Sequence, residues 1–148
     1  MKQKKTIPQV TAQTKLLDYL ARRDHSEKEL RRKLSRRYPP EEIAQALSWA
    51  HARGWLKTPD ELAEQVARSL ERKNKSNRYI NQYLREKGLP PLPLQPEREA
   101  EKCRRLLVGK LKFPEDSLPS RELLGKMRRL LLQRGFDRET IRKVLHEK

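Results

Sequence analysis

Cysteine, glycine and aromatic side chains are all scarce in this 148-residue chain, and each shortage removes a class of protein. The single cysteine, Cys103, cannot build a disulfide framework or a multi-cysteine zinc site. Cysteine usage of this kind fits a reducing cytoplasm. Five glycines leave little material for a phosphate-cradling loop, and no Gly-x-Gly-x-x-Gly run or Lys-Ser/Thr-ended glycine loop is present. With 2 Trp, 4 Tyr and 2 Phe there is little to fill a β-sandwich, and no alternating run of β-branched and aromatic residues predicts a strand. No stretch approaches the ~18 consecutive apolar residues of a membrane span. The basic segment Met1–Val10 is not followed by an apolar stretch, so a secretory signal is not expected. His25, His51 and His146 are isolated from one another, and His25 precedes a helix-capping sequence, which predicts a local structural role. Cys103 falls on an apolar helical face and reads as a small core residue. No catalytic set, metal site or cofactor is expected.

What the chain has in excess is positive charge: 36 Lys+Arg against 20 Asp+Glu, a net of +16. The partner is therefore expected to be anionic, either nucleic acid or an acidic protein groove. With 38% charged and 34% hydrophobic residues, disorder is the first alternative to exclude. The periodicity of the apolar residues excludes it. Ile43, Leu47 and Ala50 recur at i, i+4, i+7; Leu62, Ala63, Val66, Ala67 and Leu70 at i, i+1, i+4, i+5, i+8; Leu123, Leu124, Met127, Leu130 and Leu131 at i, i+1, i+4, i+7, i+8. Each set is one stripe of an α-helix, so the predicted fold is all-α with thin apolar layers.

Residues 1–13 read as a mobile basic tail. A first helix is predicted over about Thr14–Arg23, burying Leu16, Leu17 and Leu20. Ser26 with Glu29 forms a capping box that starts a second helix, carrying Leu30 and Leu34 inward. Pro40 opens a third, which stops at Gly54. Thr58 and Pro59 then start a helix to about Lys73, and a shorter one runs from Asn77 to Lys87. The segment Leu89-Pro90-Pro91-Leu92-Pro93-Leu94-Gln95-Pro96 is too proline-rich for a helix and reads as an extended connector. Helices follow from Glu97 to about Leu111, from Ser120 to Arg134 and from Asp137 onward, with a loop at Phe113–Pro119.

Three predicted helix ends share one form: Arg53-Gly54-Trp55, Lys87-Gly88-Leu89 and Arg134-Gly135-Phe136. A cation suits the negative helix end, glycine takes the left-handed conformation, and the next apolar residue packs back. The pairs Leu30/Leu34, Ile80/Leu84 and Met127/Leu131 recur at offsets of 50 and 47 residues. That period fits a three-helix unit in tandem. It divides the chain into repeats at 14–57, 58–96 and 97–148, the middle one lacking its third helix, in an elongated, curved arrangement.

Charge is uneven along this plan: +8 over residues 1–58, +2 over 59–96 and +6 over 97–148. With Leu30 and Leu34 inward, Lys28, Arg32 and Arg36 fall on the outer face of the second helix, flanked by Arg31 and Arg37. In the third repeat Arg129 takes the place of Arg32, with Lys126 and Arg128 beside it. These eight residues form the predicted partner- or DNA-facing surface. The carboxylates Glu97, Glu99 and Glu101 alternate with Lys102 and Arg105 as on a solvated helix face. Tyr79 and Tyr83 could stack on bases, although Tyr83 fits a core position equally well.

The segment Arg23-Asp24-His25-Ser26-Glu27-Lys28-Glu29-Leu30-Arg31-Arg32-Lys33-Leu34 resembles the first-unit signature of the bacterial RecX family. Glu42-Ile43, Ala46-Leu47, Gly54-Trp55-Leu56, Arg85-Glu86-Lys87-Gly88 and Arg134-Gly135-Phe136 with Ile141 follow in the family's order. The resemblance implies tandem three-helix repeats and a regulator of the RecA recombinase; a cytoplasmic monomer is expected. Such proteins lodge in the groove of the RecA–DNA filament, inhibit its activities and in some cases touch DNA. Three features depart from the pattern. Lys57-Thr58 stand where two acidic residues are usual, Asn74-Lys75-Ser76 replaces a Gly-Tyr-Gly turn, and the middle third helix is missing. The residues alone leave two other readings open: a stand-alone helical nucleic-acid-binding module, and a helical adaptor whose charge is only solubilising.

Overall fold

The structure, a computed structural model, describes residues 10–111 and 119–146. Among them are eight helices and no strand: α1 (Ala12–Arg22), α2 (Glu27–Leu34), α3 (Pro40–Ala52), α4 (Pro59–Arg72), α5 (Asn77–Glu86), α6 (Pro96–Leu111), α7 (Arg121–Gln133) and α8 (Arg138–Leu145). The all-α expectation holds, and no helix lies between α5 and α6. Most of the expected tail and of the Phe113–Pro119 loop falls outside the described residues.

Helix α1 starts two residues earlier than its apolar stripe predicts. The Thr11 hydroxyl accepts the Thr14 N–H at 3.2 Å, and the Ala12 N–H donates to Glu42 Oε1 at 3.3 Å. Ala12 is fully buried, so residues 12 and 13 belong to the helix and not to a tail. Ala12 and Leu16 lie one turn apart on the buried stripe, which leaves Leu17 at its edge and 37% exposed rather than buried.

The chain divides into two compact units. The first comprises the described residues through Leu62 together with Lys87–Leu89. Its core joins Ala12 and Leu16 of α1, Leu30 and Leu34 of α2, and Ile43, Ala46, Leu47 and Ala50 of α3. Each buried leucine or isoleucine contributes about 1.5–3 kcal/mol. The second comprises Ala63–Glu86 and the described residues from Pro90 onward. Its main core joins Ala100, Cys103, Leu106 and Leu107 of α6, Met127 and Leu131 of α7, and Phe136, Ile141 and Val144 of α7–α8 and the turn between them. Burial raises the Cys103 thiol pKa to about 12, so the thiol is an inert core group.

The glycine stops form as predicted, with φ of +70° at Gly54, +71° at Gly88 and +87° at Gly135. The Phe136 N–H returns to Leu131 O at 3.1 Å and its ring is buried, as is Leu89 after Gly88. Trp55 departs from this pattern: its N–H returns to Ala50 O at 3.1 Å, but its ring stays 43% exposed. Gly88 is constrained twice, because a Cβ there would also lie 2.8 Å from Lys28 Cβ. Gly88→Ala is therefore expected to lower the unfolding free energy by about 2 kcal/mol, measured by urea denaturation. A loss no larger than that of Gly54→Ala, where a Cβ meets nothing within 4 Å, would count against the clash.

In the second unit, side chains hold backbone where helices are absent. Asn81 takes both groups of Leu92: Leu92 N–H donates to Oδ1 at 2.9 Å, and Nδ2 donates to Leu92 O at 3.0 Å. Asn77 Nδ2 donates to Pro93 O at 3.3 Å. The proline segment is thus an extended strap fixed to α5.

The α4–α5 turn, with Asn74 at φ +58°, is held from α6. Lys102 Nζ donates to Lys75 O at 2.8 Å and pairs with Glu99, whose Oε2 accepts the Asn77 N–H at 3.0 Å. Glu99 and Lys102 are only 4% and 1% exposed, which corrects their reading as part of a solvated face. Alternating charge identifies a possible surface, but these two positions fall on the side of α6 that meets the turn.

Candidate partner-binding surface

The geometry of α2 is set at its N-terminus. Ser26 Oγ accepts the Glu29 N–H at 3.1 Å, and Glu29 Oε1 accepts the Ser26 N–H at 3.2 Å, completing the predicted capping box. Glu29 Oε2 also receives Arg23 at 2.7 Å and Lys87 at 3.1 Å. Burial alone would raise this carboxyl's pKa, but the hydrogen bonds from Arg23, Ser26 and Lys87 outweigh it and hold the pKa at about 2.

His25 is buried beside this cluster. Its Nδ1–H donates to Arg23 O at 2.9 Å, and Nε2 accepts from Lys33 Nζ at 2.9 Å. Burial is the largest cause holding its pKa below the usual histidine value, and the charges of Arg23 and Lys33 add to it. A neutral imidazole with a proton on Nδ1 satisfies both contacts.

With that end fixed, Lys28, Arg31, Arg32, Arg36 and Arg37 all emerge exposed. Arg31 pairs with Glu27 at 3.1 Å, and the Lys28 stem lies against Gly88. Arg36 and Arg37 meet Lys15, Tyr19, Lys33 and Tyr38 around a cleft of about 270 Å³. None of its lining side chains is a carboxylate. Lys15 and Lys33 lie 5.3 and 4.9 Å from the Tyr19 ring centre. The Tyr38 hydroxyl donates to Val10 O. Helix α2 ends at Leu34, so Arg36 and Arg37 stand in the turn after it and not on its face as the stripe predicts. The stripe also misses the partners from α1, because no local spacing shows that α1 converges there.

Lys126, Arg128 and Arg129 are likewise exposed on α7, while Met127 and Leu131 face the core. Each predicted set is gathered within its own unit. Sequence reasoning also passed over Trp49 and Trp55, which meet edge to face at 5.0 Å with the Arg53 guanidinium 5.1 and 5.4 Å from the two rings. Their signal was the Gly54-Trp55 stop, read as a residue that would pack inward. Tyr79 is 44% exposed with Lys75 Nζ 4.8 Å from its ring centre, and Tyr83 is half-buried. Among the described residues no three His, Cys, Asp or Glu side chains converge as a metal site would require, and no helix is long and apolar enough to cross a membrane.

Fold and surface together define an all-helical protein that displays cations on two comparable helices. Residues 12–49 match the family model described as the first three-helix domain of RecX. The chain is 34% identical over 145 residues to the regulatory protein RecX of Leptothrix cholodnii, covering 93% of this chain and 89% of that one. It is 36% identical over 97 residues to the regulatory protein RecX of Cronobacter sakazakii, covering 55% and 58%. Among solved structures, RecX from Lactobacillus salivarius superposes with a TM-score of 0.71 at 18% identity, covering 91% of this chain and 92% of the other. A second regulatory protein RecX structure gives 0.71 at 23% identity, covering 92% and 72%. The chain belongs to the RecX family.

Proposed function

We propose that this protein is a non-enzymatic cytoplasmic regulator that binds the RecA–DNA filament and inhibits RecA recombinase, ATPase and coprotease activities. Family membership carries the reading, and the acid-free cationic cleft at Arg36 and Arg37 supports it. It acts as a monomer through two basic surfaces, Lys28, Arg31 and Arg32 on α2 with Arg36 and Arg37 in the turn that follows it, and Lys126, Arg128 and Arg129 on α7. It touches DNA directly or within the filament, which offers acidic protein and phosphate side by side. Electrostatic attraction to such a filament speeds encounter and weakens with salt.

The test is a titration of RecA's single-strand-stimulated ATPase at two salt concentrations. Inhibition is expected at substoichiometric protein and should weaken as salt rises. No effect of equimolar protein at low salt would sink the proposal. Reversing Arg32, Arg36 and Arg129 to Glu is expected to raise the half-inhibiting concentration about tenfold or more, since exposed arginines steer and hold anionic partners. Unchanged inhibition would make the charge merely solubilising.

A further inference from the structure

The sequence of the middle segment is nearly balanced in charge, yet the fold gathers its arginines with those of α6. Within the second unit, α4 and α6 flank an open groove of about 610 Å³. Arg68 and Arg72, one turn apart, line it from α4; Arg98 and Arg105, two turns apart, line it from α6. Its carboxylates are already engaged. Glu71 pairs with Arg98 at 3.4 Å and Lys102 at 3.8 Å, and Glu101 pairs with Arg105 at 3.9 Å. Arg105 Nε also donates to Asn74 Oδ1 at 2.9 Å. Arg68 and Arg72 are exposed and have no carboxylate within ion-pair distance among the described residues.

We propose that this groove binds the sugar-phosphate backbone of a single nucleic-acid strand, independently of the surfaces on α2 and α7 and without help from a recombinase. Three observations select that ligand. All eight lining side chains are charged or amide-bearing, so the groove offers no apolar pocket to anchor a peptide side chain. The α6 arginines are separated by about 10 Å along the helix axis, enough to follow a short run of phosphates. Arginine presents a planar fork of donors that matches phosphate oxygens. No aromatic ring lines the groove, so binding is indifferent to base sequence and strongly salt-dependent.

Fluorescence anisotropy with the full chain and a labelled thymidine oligonucleotide of about 20 nucleotides tests this, at about 50 and 200 mM salt. Arg68→Ala/Arg72→Ala is expected to weaken binding about tenfold or more and to reduce the slope of log affinity against log salt by about 1.4, two phosphate contacts' worth. The control Arg138→Ala/Arg142→Ala removes the same charge from exposed α8 positions and is expected to change affinity less than about twofold. Equal losses in the two variants overturn the assignment, leaving only a diffuse charge effect. Tighter binding of the matching duplex overturns the single-strand choice. Displacement of the oligonucleotide by poly-glutamate at equal charge concentration overturns the choice of phosphate over an acidic protein.

Discussion

Replacing Lys102 by alanine is expected to lower the unfolding free energy by about 3–5 kcal/mol, a large part of the ~5–15 kcal/mol typical of a domain. The Lys102 side chain is 2% exposed and its partner Glu99 is 5% exposed. Removing the ammonium leaves a buried carboxylate without its cation and takes the donor from Lys75 O. The loss then spreads, because Glu99 Oε2 also caps the first N–H of α5 at Asn77. Lys102→Met removes the same donor but fills the volume, so it separates packing from charge. If Lys102→Met is as stable as the parent, the pair contributes nothing net; if it falls nearly as far as Lys102→Ala, the turn depends on the ion pair. Equilibrium urea denaturation followed by circular dichroism reads both. The double variant Glu99→Gln/Lys102→Met should recover part of the loss, since no buried charge then lacks a partner. A Lys102→Ala loss below about 1 kcal/mol would mean that water reaches Glu99 freely, against the burial of both side chains.

This buried pair marks the boundary of what the residues alone reveal. Helix ends were legible because their chemistry is local: Ser26 with Glu29, Pro40, Thr58 with Pro59, Asp137, and the three glycines all act within a few residues. Core stripes were legible for the same reason, since Met127 and Leu131 share a face whatever they meet. Glu99 and Lys102 were misread because their partners, Lys75 and Asn77, are more than twenty residues away. Likewise, the strap at Leu92 depends on Asn81, and nothing in an asparagine between an isoleucine and a glutamine signals that it will replace a missing strand or helix. The candidate surface divides in the same way. A stripe on one helix gave Arg32 and Arg36, whereas the cleft with Lys15 and the groove with Arg68 and Arg98 each require two helices to meet. Charge counted by segment therefore placed little on the middle of the chain, although its Arg68 and Arg72 on α4 gather with Arg98 and Arg105 of α6, which the count assigned to the last segment.

Acidification should weaken the first unit in two stages, and Glu29→Gln should remove the second. Glu29 has a folded pKa of about 2 against an ordinary value of 4.5. A carboxyl lowered in this way stabilises the fold fully above the unfolded value and loses that stabilisation as pH falls from about 4.5 towards 2. At neutral pH the contribution is about 2 kcal/mol, below what the shift alone implies, because Arg23 is half-exposed and its pairing is screened by water. Lys87 is 20% exposed and adds the more protected contact. His25 acts at higher pH. Its folded pKa also lies below its ordinary 6.5, so protonation favours the unfolded chain and stability begins to fall as pH drops below that value. Once charged, the imidazole can no longer accept from Lys33 Nζ. Urea denaturation of the parent, His25→Gln and Glu29→Gln between about pH 8 and pH 2 should resolve the stages. His25→Gln is expected to flatten the upper one. Glu29→Gln should start about 2 kcal/mol lower at neutral pH and close most of the gap to the parent by about pH 2, where the native carboxylate is half protonated. Parallel curves for parent and Glu29→Gln over the whole acidic range would overturn the lowered Glu29 pKa, since no proton uptake by that carboxylate would then be linked to unfolding.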